Sequence, residues 1–288
     1  MRLRASESPA ADGPTFSRHP AREAHVGGGH VRRTLPTAGR RTIGPWCFAD
    51  TYGPVPDAER LAIGPHPHTG LQTVTWLLSG ELEHRDSLGS VQRIRPGQLN
   101  WMTAGRGIVH AELGVAGPIE GAQLWVALPS AHRHTGPAFL HLPDLPAVQQ
   151  AEGHATVLVG ELAGQASPAP RFHPIVGAEL RGTLDLPLDP DFEHGVLPLR
   201  GSATVDGEPV APHTLVYLGR GRERLTVSTD VALLLGGQPL GEPLLMWWNF
   251  VERTHEEVVA SRARWEAGAM ATVPNTAGRI AAPPLRGA

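Results

Sequence analysis

Hydrophobic and polar positions along this chain follow short alternating stretches, each interrupted by glycine or proline. Residues 71–78 are rich in β-branched and aromatic side chains, and further stretches of strand character follow at residues 91–95 and 99–102. A turn around Pro96 and Gly97 separates the last two. Short strands at this spacing are typical of an antiparallel sandwich or barrel rather than of alternating strands and helices. The pattern therefore predicts an all-β fold.

The second half of the chain repeats the order of segments found in the first half. Residues 196–201 resemble residues 74–80, and residues 212–218 resemble residues 96–102. Ordered self-similarity of this kind indicates duplication of one structural unit. The sequence therefore predicts two tandem antiparallel β-barrels, the first spanning residues 27–145 and the second residues 146–270.

The two ends of the chain lack the strand pattern. Residues 1–26 are polar, and we expect them to form a disordered extension. Near the other end, Thr254 and Glu257 fit a capping box, which predicts a C-terminal helix over residues 258–267 with Gly268 as its stop. Residues 271–288 are rich in proline, glycine and alanine, and are expected to form a loose tail.

Composition narrows the choice of partners and compartment. The formal net charge of -3 gives no reason to expect direct nucleic-acid binding. No apolar run approaches the length that spans a membrane. Cys47 is the single cysteine, so an intramolecular disulfide is impossible and a reducing, cytoplasmic location is expected. Its apolar neighbours predict a buried, inert thiol.

Two pairs of potential metal ligands occur at a spacing of two residues: His66 with His68, and His110 with Glu112. On a β-strand, residues i and i+2 point to the same face, so each pair can aim both side chains into one cavity. Three imidazoles and one carboxylate suit a first-row transition metal such as iron, manganese, nickel, copper or zinc. A single His-x-His pair is common without a metal, but two pairs in matching strand–turn–strand settings favour a metal site.

The repeat allows the four ligand positions to be carried into the second half. They fall there on residues that include no imidazole: Pro187, Asp189, Thr226 and Ser228. We therefore expect one transition metal per chain, bound in the first barrel, and a second barrel without metal.

Three stretches, residues 66–70, 83–89 and 95–112, resemble the motifs of pirins, a family of the cupin superfamily. The resemblance extends from about residue 27 to residue 265 and is strongest over residues 45–128. It implies a bicupin of two jelly-roll barrels, with one Fe(II) held by His66, His68, His110 and Glu112 and a vacant second barrel. Gln72 departs from the family, in which glutamate is common near this position without serving as a ligand. Thr69 replaces an arginine of many relatives, and we expect this to alter how a substrate is drawn to the pocket.

The resemblance also implies two functions of different classes. Some pirins show quercetin 2,3-dioxygenase activity, and in animals a pirin acts as a nuclear coregulator of transcription. One hypothesis is therefore a dioxygenase that takes a small aromatic flavonol and dioxygen, with Glu112 as a catalytic proton acceptor. The alternative is a non-catalytic regulator whose iron site reports redox state to a protein partner. The ligand set does not separate the two hypotheses.

Several further residues are candidates for the pocket around the metal or for contacts to the ligands: Gln72, Trp76, Trp101, Met102, Gln123 and Trp125. For the three tryptophans and Met102, a place in the ordinary hydrophobic core is the alternative. His84 falls in a polar turn and is expected away from the site. His194 and His213, in the second barrel, are expected at the surface.

Overall fold

The computed structural model describes residues 13–26, 29–276 and 278–285. Within these residues it contains one α-helix, α1 (His255–Glu266), and one turn of 3-10 helix at Ala58–Arg60. The strands of the first half are β1 (Pro14–Pro20), β2 (Arg22–Val26), β3 (Gly29–Leu35), β4 (Trp46–Val55), β5 (Ala62–His68), β6 (Leu71–Asp86), β7 (Val91–Ile94), β8 (Leu99–Thr103), β9 (Ile108–Ala127) and β10 (Ala138–Leu142). The strands of the second half are β11 (Ala147–Gln150), β12 (Gly153–Val159), β13 (Glu161–Leu162), β14 (Gln165–Ala166), β15 (Ile175–Pro187), β16 (Glu193–Val205), β17 (Glu208–Val210), β18 (Thr214–Gly219), β19 (Arg224–Gly237), β20 (Leu245–Trp247) and β21 (Phe250–Glu252).

Two large antiparallel sheets carry the fold. The first has the strand order β10-β8-β6-β9-β4-β3-β2, with β5 paired to β9 and β7 paired to β6. The second has the order β1-β18-β16-β19-β15-β12-β11, with β17 paired to β16. The repeated segments occupy equivalent places, because residues 74–80 and 196–201 lie in β6 and β16, and residues 96–102 and 212–218 reach into the neighbouring β8 and β18. The predicted all-β fold with two similar units and a C-terminal helix is confirmed.

The central strand β6 is buried on both faces. Successive side chains of a strand point to opposite sides of the sheet. Val74 and Trp76 therefore face one way, into a core shared with Leu197 and Leu233 of the second sheet. Thr75 faces the other way, into the first barrel. Truncation of one such buried leucine to alanine typically costs roughly 2–5 kcal/mol, so this shared core holds the two barrels firmly together.

The expected N-terminal disorder is wrong for the part of the segment that the structure describes. Strand β1 adds to the edge of the second sheet, where Arg18 lies opposite Val216. The chain then crosses over, and β2 pairs with β3 in the first sheet. Most side chains of both strands are exposed or half-buried, so backbone hydrogen bonds rather than an apolar pattern hold them in place. Residues 1–12 lie outside the described part of the chain.

The chain after β19 leaves the second sheet and packs against the first barrel. We call this part, residues 238–276 and 278–285, the C-terminal segment. The expected loose tail is wrong where the chain is described, because Val273 and Ala282 are buried in a cluster with Phe250 and Trp265. The backbone N–H of Ile280 donates a hydrogen bond of 2.9 Å to the carbonyl of Pro65, in the middle of β5. The low apolar content of residues 271–288 gave no sign of this packing, because a few buried side chains are enough to hold the segment in place. No helix in the described ranges combines the length and the apolar character needed to cross a membrane.

Gly70 allows the C-terminal segment to approach the first barrel closely. Its φ is +71°, and a Cβ at this position would lie 2.0 Å from the carbonyl oxygen of Val251. Only glycine fits such a contact. The neighbouring Thr69 is buried, and its hydroxyl donates a 2.8 Å hydrogen bond to Glu252. This side chain therefore ties β21 to the barrel, and the expected effect of Thr69 on substrate entry stays a prediction.

Helix α1 begins at the predicted capping box, which is present with Thr254 as the N-cap residue. The Glu257 carboxylate accepts two hydrogen bonds from Arg133, at 2.9 and 2.5 Å. Arg133, and to a lesser extent the backbone N–H groups of Arg253 and Thr254, lower the pKa of Glu257 to about 2. A carboxyl group with a lowered pKa stabilises the fold fully above its ordinary value of 4.5, and this stabilisation is lost as the pH falls through about 2.

We expect Glu257→Gln to lower the free energy of unfolding near pH 7 by about 1–2 kcal/mol, because hydrogen bonds to a charged acceptor are lost. The difference from the parent protein should shrink as the pH is lowered from about 4.5 toward 2. Denaturant titrations at a series of pH values measure this, with Glu223→Gln, at an exposed position in the second barrel, as the control. A difference that does not change with pH would contradict the assignment.

Candidate metal centre

Strands β5 and β9 carry the two predicted ligand pairs and lie side by side. His66 is directly opposite His110 in the antiparallel register. One ligand atom from each of His66, His68 and His110 lies within 4.8 Å of the corresponding atoms of the other two. All three imidazoles are buried. The structure therefore brings together three of the four residues that the spacing singles out.

Glu112, the fourth residue, stands beside the three-histidine cluster and lines the same cavity. Its Oε1 lies 3.1 Å from the Thr75 hydroxyl, which also lies 3.0 Å from Oε1 of Gln123. One hydroxyl proton cannot serve both oxygens, so the Gln123 amide is better turned with its nitrogen toward Thr75. In that orientation the Thr75 proton is left for Glu112, and the carboxylate is held at the cavity wall.

Burial keeps the three imidazoles uncharged. It is the largest cause that lowers the pKa of His66 to about 4, and it lowers the pKa values of His68 and His110 well below their ordinary value. Neutral imidazole is the form that binds metal ions. Burial has the opposite effect on the pKa of Glu112, which is raised because the charged form is the costly one for a carboxylate.

Hydrogen bonds determine which ring nitrogen is available for a metal ion. His66 Nδ1 lies 2.8 Å from the carbonyl of Gly64 and must donate to it, which leaves the Nε2 of a neutral ring with a free lone pair. His110 Nε2 is buried and has no hydrogen-bond partner among the described residues. A buried polar atom without a partner is unfavourable, and a metal ion bound by the cluster would remove that cost. The residues present therefore fit a metal ion.

The cluster opens into a cavity of about 500 Å³. One wall is an aromatic stack, in which Phe48 and Trp125 have ring centroids 3.9 Å apart and an interplanar angle of 12°. Trp125 also meets His68 edge-on, at a centroid distance of 5.0 Å. Arg33 lies over Phe48 and is fixed by two hydrogen bonds of 2.7 Å to Asp50. The wall beside the imidazoles is therefore aromatic, and Trp125 and Arg33 cover the two faces of Phe48.

The C-terminal segment supplies part of the cavity lining, through Trp248, Asn249 and Ile280. Trp248 has a φ of +52°, a left-handed conformation that bulky residues rarely adopt and that often marks functional sites. The sequence analysis missed these residues because they follow β19, the last strand of the second sheet, yet line a cavity in the first barrel. The adjacent tryptophans at 247 and 248, in a chain with only 5% aromatic residues, were the available signal.

The six pocket candidates separate by strand face. Gln123 and Trp125 line the cavity, since they alternate with Leu124, which points into the shared core. The remaining four candidates do not line it: Gln72, Trp76, Trp101 and Met102. Gln72 and Trp76 lie on the face of β6 opposite to Thr75, so they point toward the second barrel.

Hydrogen bonds show what these core residues contact instead. Gln72 Nε2 donates to the Thr103 hydroxyl at 2.9 Å. Trp76 Nε1 donates to Glu179 of the second barrel at 2.7 Å. The core alternative is therefore the correct one for Trp76, as it is for Trp101 and Met102, which are each 1% exposed and belong to hydrophobic clusters.

Three histidines lie elsewhere than expected. His84 is buried rather than in an exposed turn, and its Nδ1 lies 3.4 Å from Nδ1 of His110. The reason is that β6 continues to Asp86 through bulges after Leu77. His194 is 1% exposed, so its predicted surface position is wrong. His213 is half-buried, and its Nδ1 is 3.3 Å from a threonine hydroxyl of β4.

Cys47 is buried as predicted, and burial raises the pKa of its thiol to about 12. The second barrel has a cavity of about 770 Å³ lined by His173, Asp189 and His194. His173 Nε2 lies 3.0 Å from the carbonyl of Gln238, to which it donates. Within the described ranges, the His66–His68–His110 cluster is the only group of three potential ligands that could hold a metal ion.

Two cupin-type sheets, with one three-histidine cluster in the first that could hold a metal ion, define a bicupin. The family model for pirin matches residues 28–126, and the model for the pirin C-terminal cupin domain matches residues 176–271. A pirin-like protein of Caulobacter vibrioides is 34% identical, over 87% of this chain and 92% of that protein. The chain belongs to the pirin family.

Two further relatives carry names that describe an activity. A Pseudomonas aeruginosa protein provisionally named a quercetin 2,3-dioxygenase is 48% identical, over 86% of this chain and 82% of that protein. The crystal structure of a quercetin 2,3-dioxygenase from Acinetobacter baumannii is 41% identical and superposes with a TM-score of 0.89, covering 95% of this chain and 96% of that one. These names describe the two relatives.

We expect the apoprotein to bind about one equivalent of Fe(II) per chain without oxygen, because only one converging ligand cluster is described. His68→Ala should abolish tight binding, since it removes a ligand nitrogen. His194→Ala, which removes a buried histidine of the second barrel, should leave the stoichiometry unchanged. Metal analysis after gel filtration measures both. Two tightly bound equivalents would contradict the expectation of a second barrel without metal.

Proposed function

We propose that this chain is a mononuclear, iron-dependent dioxygenase that acts on flavonols such as quercetin. The observation that carries the proposal is the cluster of three neutral imidazoles in a cavity that is also lined by a buried carboxylate and by aromatic side chains. The names of the Pseudomonas and Acinetobacter relatives support the same reaction class. These two relatives align with 86% and 95% of this chain, which supports a shared activity.

The proposed ligands are His66, His68, His110 and Glu112. This nitrogen and oxygen donor set suits first-row transition metals. Fe(II) is the proposed native metal because of the family resemblance, and reconstitution with manganese, nickel, copper or zinc is the direct comparison. A metal ion held here would lower the pKa of a hydroxyl bound to it and would supply the redox chemistry that dioxygen requires.

The chain's own residues would bind the flat substrate and accept its proton. The aromatic side chains of Phe48 and Trp125 line the cavity and would make apolar contacts with an aromatic substrate. Asp50 lines the cavity as well, but both of its oxygens are occupied by Arg33. Glu112 is therefore the carboxylate available to accept the proton of a flavonol hydroxyl. Thr75 would hold the second oxygen of that carboxylate during the transfer.

Oxygen uptake by the Fe(II)-loaded protein tests this proposal against the regulatory alternative. With quercetin, we expect dioxygen consumption and loss of the flavonol absorbance together, and neither with His68→Ala. A panel of flavonols and catechols then defines the substrate class. Full metal occupancy without consumption of any flavonol would refute the dioxygenase and favour a regulator whose protein partner distinguishes the oxidation states of the metal.

We expect Glu112→Gln to lower flavonol turnover by roughly 10²–10⁴-fold, the effect of removing a positioned general base. Metal should still bind through the three histidines, though more weakly. Raising the pH should partly restore turnover, since more of the flavonol is then already ionised. Steady-state rates across a pH series, at measured metal occupancy, provide the comparison.

Glu81→Gln is the matched control for Glu112→Gln, because Glu81 lies outside the cavity and pairs with Arg95 at 2.7 Å. Its turnover and pH profile should match those of the parent protein. Unchanged turnover of Glu112→Gln at full metal occupancy would leave Glu112 as a ligand without a role in proton transfer.

A further inference from the structure

His84 lies next to a proposed metal ligand without lining the cavity. Its Nδ1 is 3.4 Å from Nδ1 of His110, at the long end of the range for a hydrogen bond. The ring is 3% exposed and stacks on Phe139, with centroids 4.1 Å apart and an interplanar angle of 8°. This packing fixes the plane of the His84 ring, so its two nitrogens point in defined directions.

Asp86 holds the other nitrogen of the ring. His84 Nε2 lies 3.0 Å from Oδ2 of Asp86. The second oxygen, Oδ1, accepts the backbone N–H groups of Leu88 and Ser90, at 2.8 and 3.0 Å. Asp86 has no exposed surface. A carboxylate oxygen can only accept, so Nε2 of His84 must carry the hydrogen.

The position of that hydrogen determines the state of His110. In a neutral His84 ring protonated at Nε2, Nδ1 is an acceptor. His110 must then donate from its own Nδ1, which leaves its Nε2 with a free lone pair. That nitrogen is the buried one without a hydrogen-bond partner in the described structure. His66 also carries its hydrogen on Nδ1, because this nitrogen donates to the backbone carbonyl of Gly64.

We propose that Asp86 and His84 are positioning residues that set the tautomer of His110 and thereby strengthen metal binding. The chain of contacts runs from Asp86 through His84 to His110, and each member is buried. The inference rests on the metal-binding part of the proposed function and is independent of its substrate. Outer hydrogen-bond partners of metal-bound histidines typically contribute 10–100-fold to metal affinity.

Two substitutions at position 84 separate this role from simple packing. His84→Phe keeps a flat ring against Phe139 but removes the acceptor for His110. His84→Asn loses the ring but places an amide oxygen near the former Nδ1. Both leave Oδ2 of Asp86 without its imidazole partner, so that cost is shared. We expect Fe(II) affinity to fall by about 10–100-fold in His84→Phe and to be largely retained in His84→Asn.

Asp86→Asn tests the direction of the hydrogen bonds with almost no change of shape. The N–H groups of Leu88 and Ser90 require the amide oxygen, so the amide nitrogen must face His84. It would donate to Nε2 and move the hydrogen of His84 to Nδ1, which now opposes donation by His110. An analogous Asp-to-Asn exchange inverts a histidine tautomer in serine proteases. We expect Fe(II) affinity to fall at least as far as in His84→Phe.

The reduction potential gives a readout that packing alone would not move. An acceptor on Nδ1 makes the His110 ring a stronger donor, which favours the more highly charged Fe(III). His84→Phe should therefore raise the Fe(III)/Fe(II) potential, and His84→Asn should do so less. Each tenfold excess loss of Fe(III) over Fe(II) affinity corresponds to about 59 mV for a one-electron couple.

Fe(II) affinity is measured anaerobically by competition with a chelator, with thermal unfolding of each apoprotein as the test of folding. His194→Phe and His194→Asn are the matched controls, since His194 is equally buried in the other barrel, and both should keep the parent affinity. Failure of the parent protein to bind Fe(II) would refute the proposed metal site itself. Normal binding by the parent, with His84→Phe at least as tight as His84→Asn, would refute the positioning role alone.

Discussion

The burial of β6 and β9 on both faces is the constraint on which the rest of the molecule depends. One face of each strand points into the first barrel, where β9 lines the cavity and Thr75 of β6 contacts Glu112, and the other face forms the core between the two sheets. Because successive side chains of a strand point to opposite faces, neighbouring residues of one strand serve the site and the core in turn. Thr75 contacts a proposed metal ligand, while Trp76 beside it bonds to Glu179 in the other barrel. The sheet of the second barrel therefore supports the site, although none of its described strands lines the cavity.

The sequence predicts the ligand cluster well but the pocket poorly, for one physical reason. A spacing of two residues reports that His66 and His68 share a face, whatever the rest of the sheet does. It does not report which face of a doubly buried strand is the cavity. Trp101 and Trp125 are therefore equivalent candidates in the sequence, although one lies in the shared core and the other beside His68. Apolar character cannot distinguish two buried faces.

The features that sequence analysis missed depend on long-range pairing or on broken alternation. Strand β1 is held by backbone bonds to β18, a partner nearly 200 positions away, and so has little apolar signature. His84 changes its face because β-bulges between Leu77 and Leu82 shift the register of β6. The histidine spacing alone predicts neither effect. The capping box of α1, in contrast, is a purely local motif, and it appears at the predicted residue.

The crossed ends of the chain have a consequence for modularity. Strand β1 comes before the first barrel but completes the sheet of the second. Trp248 and Ile280 come after the last strand of the second sheet but line the cavity of the first barrel. A cut between β10 and β11 would thus yield two fragments, each missing a part that the other carries. Although the two barrels are copies of one unit, this exchange of segments makes each barrel depend on residues from outside its own part of the chain. Substitutions in the C-terminal segment can consequently change the lining of the cavity beside the histidine cluster while the sequence of the first barrel stays the same.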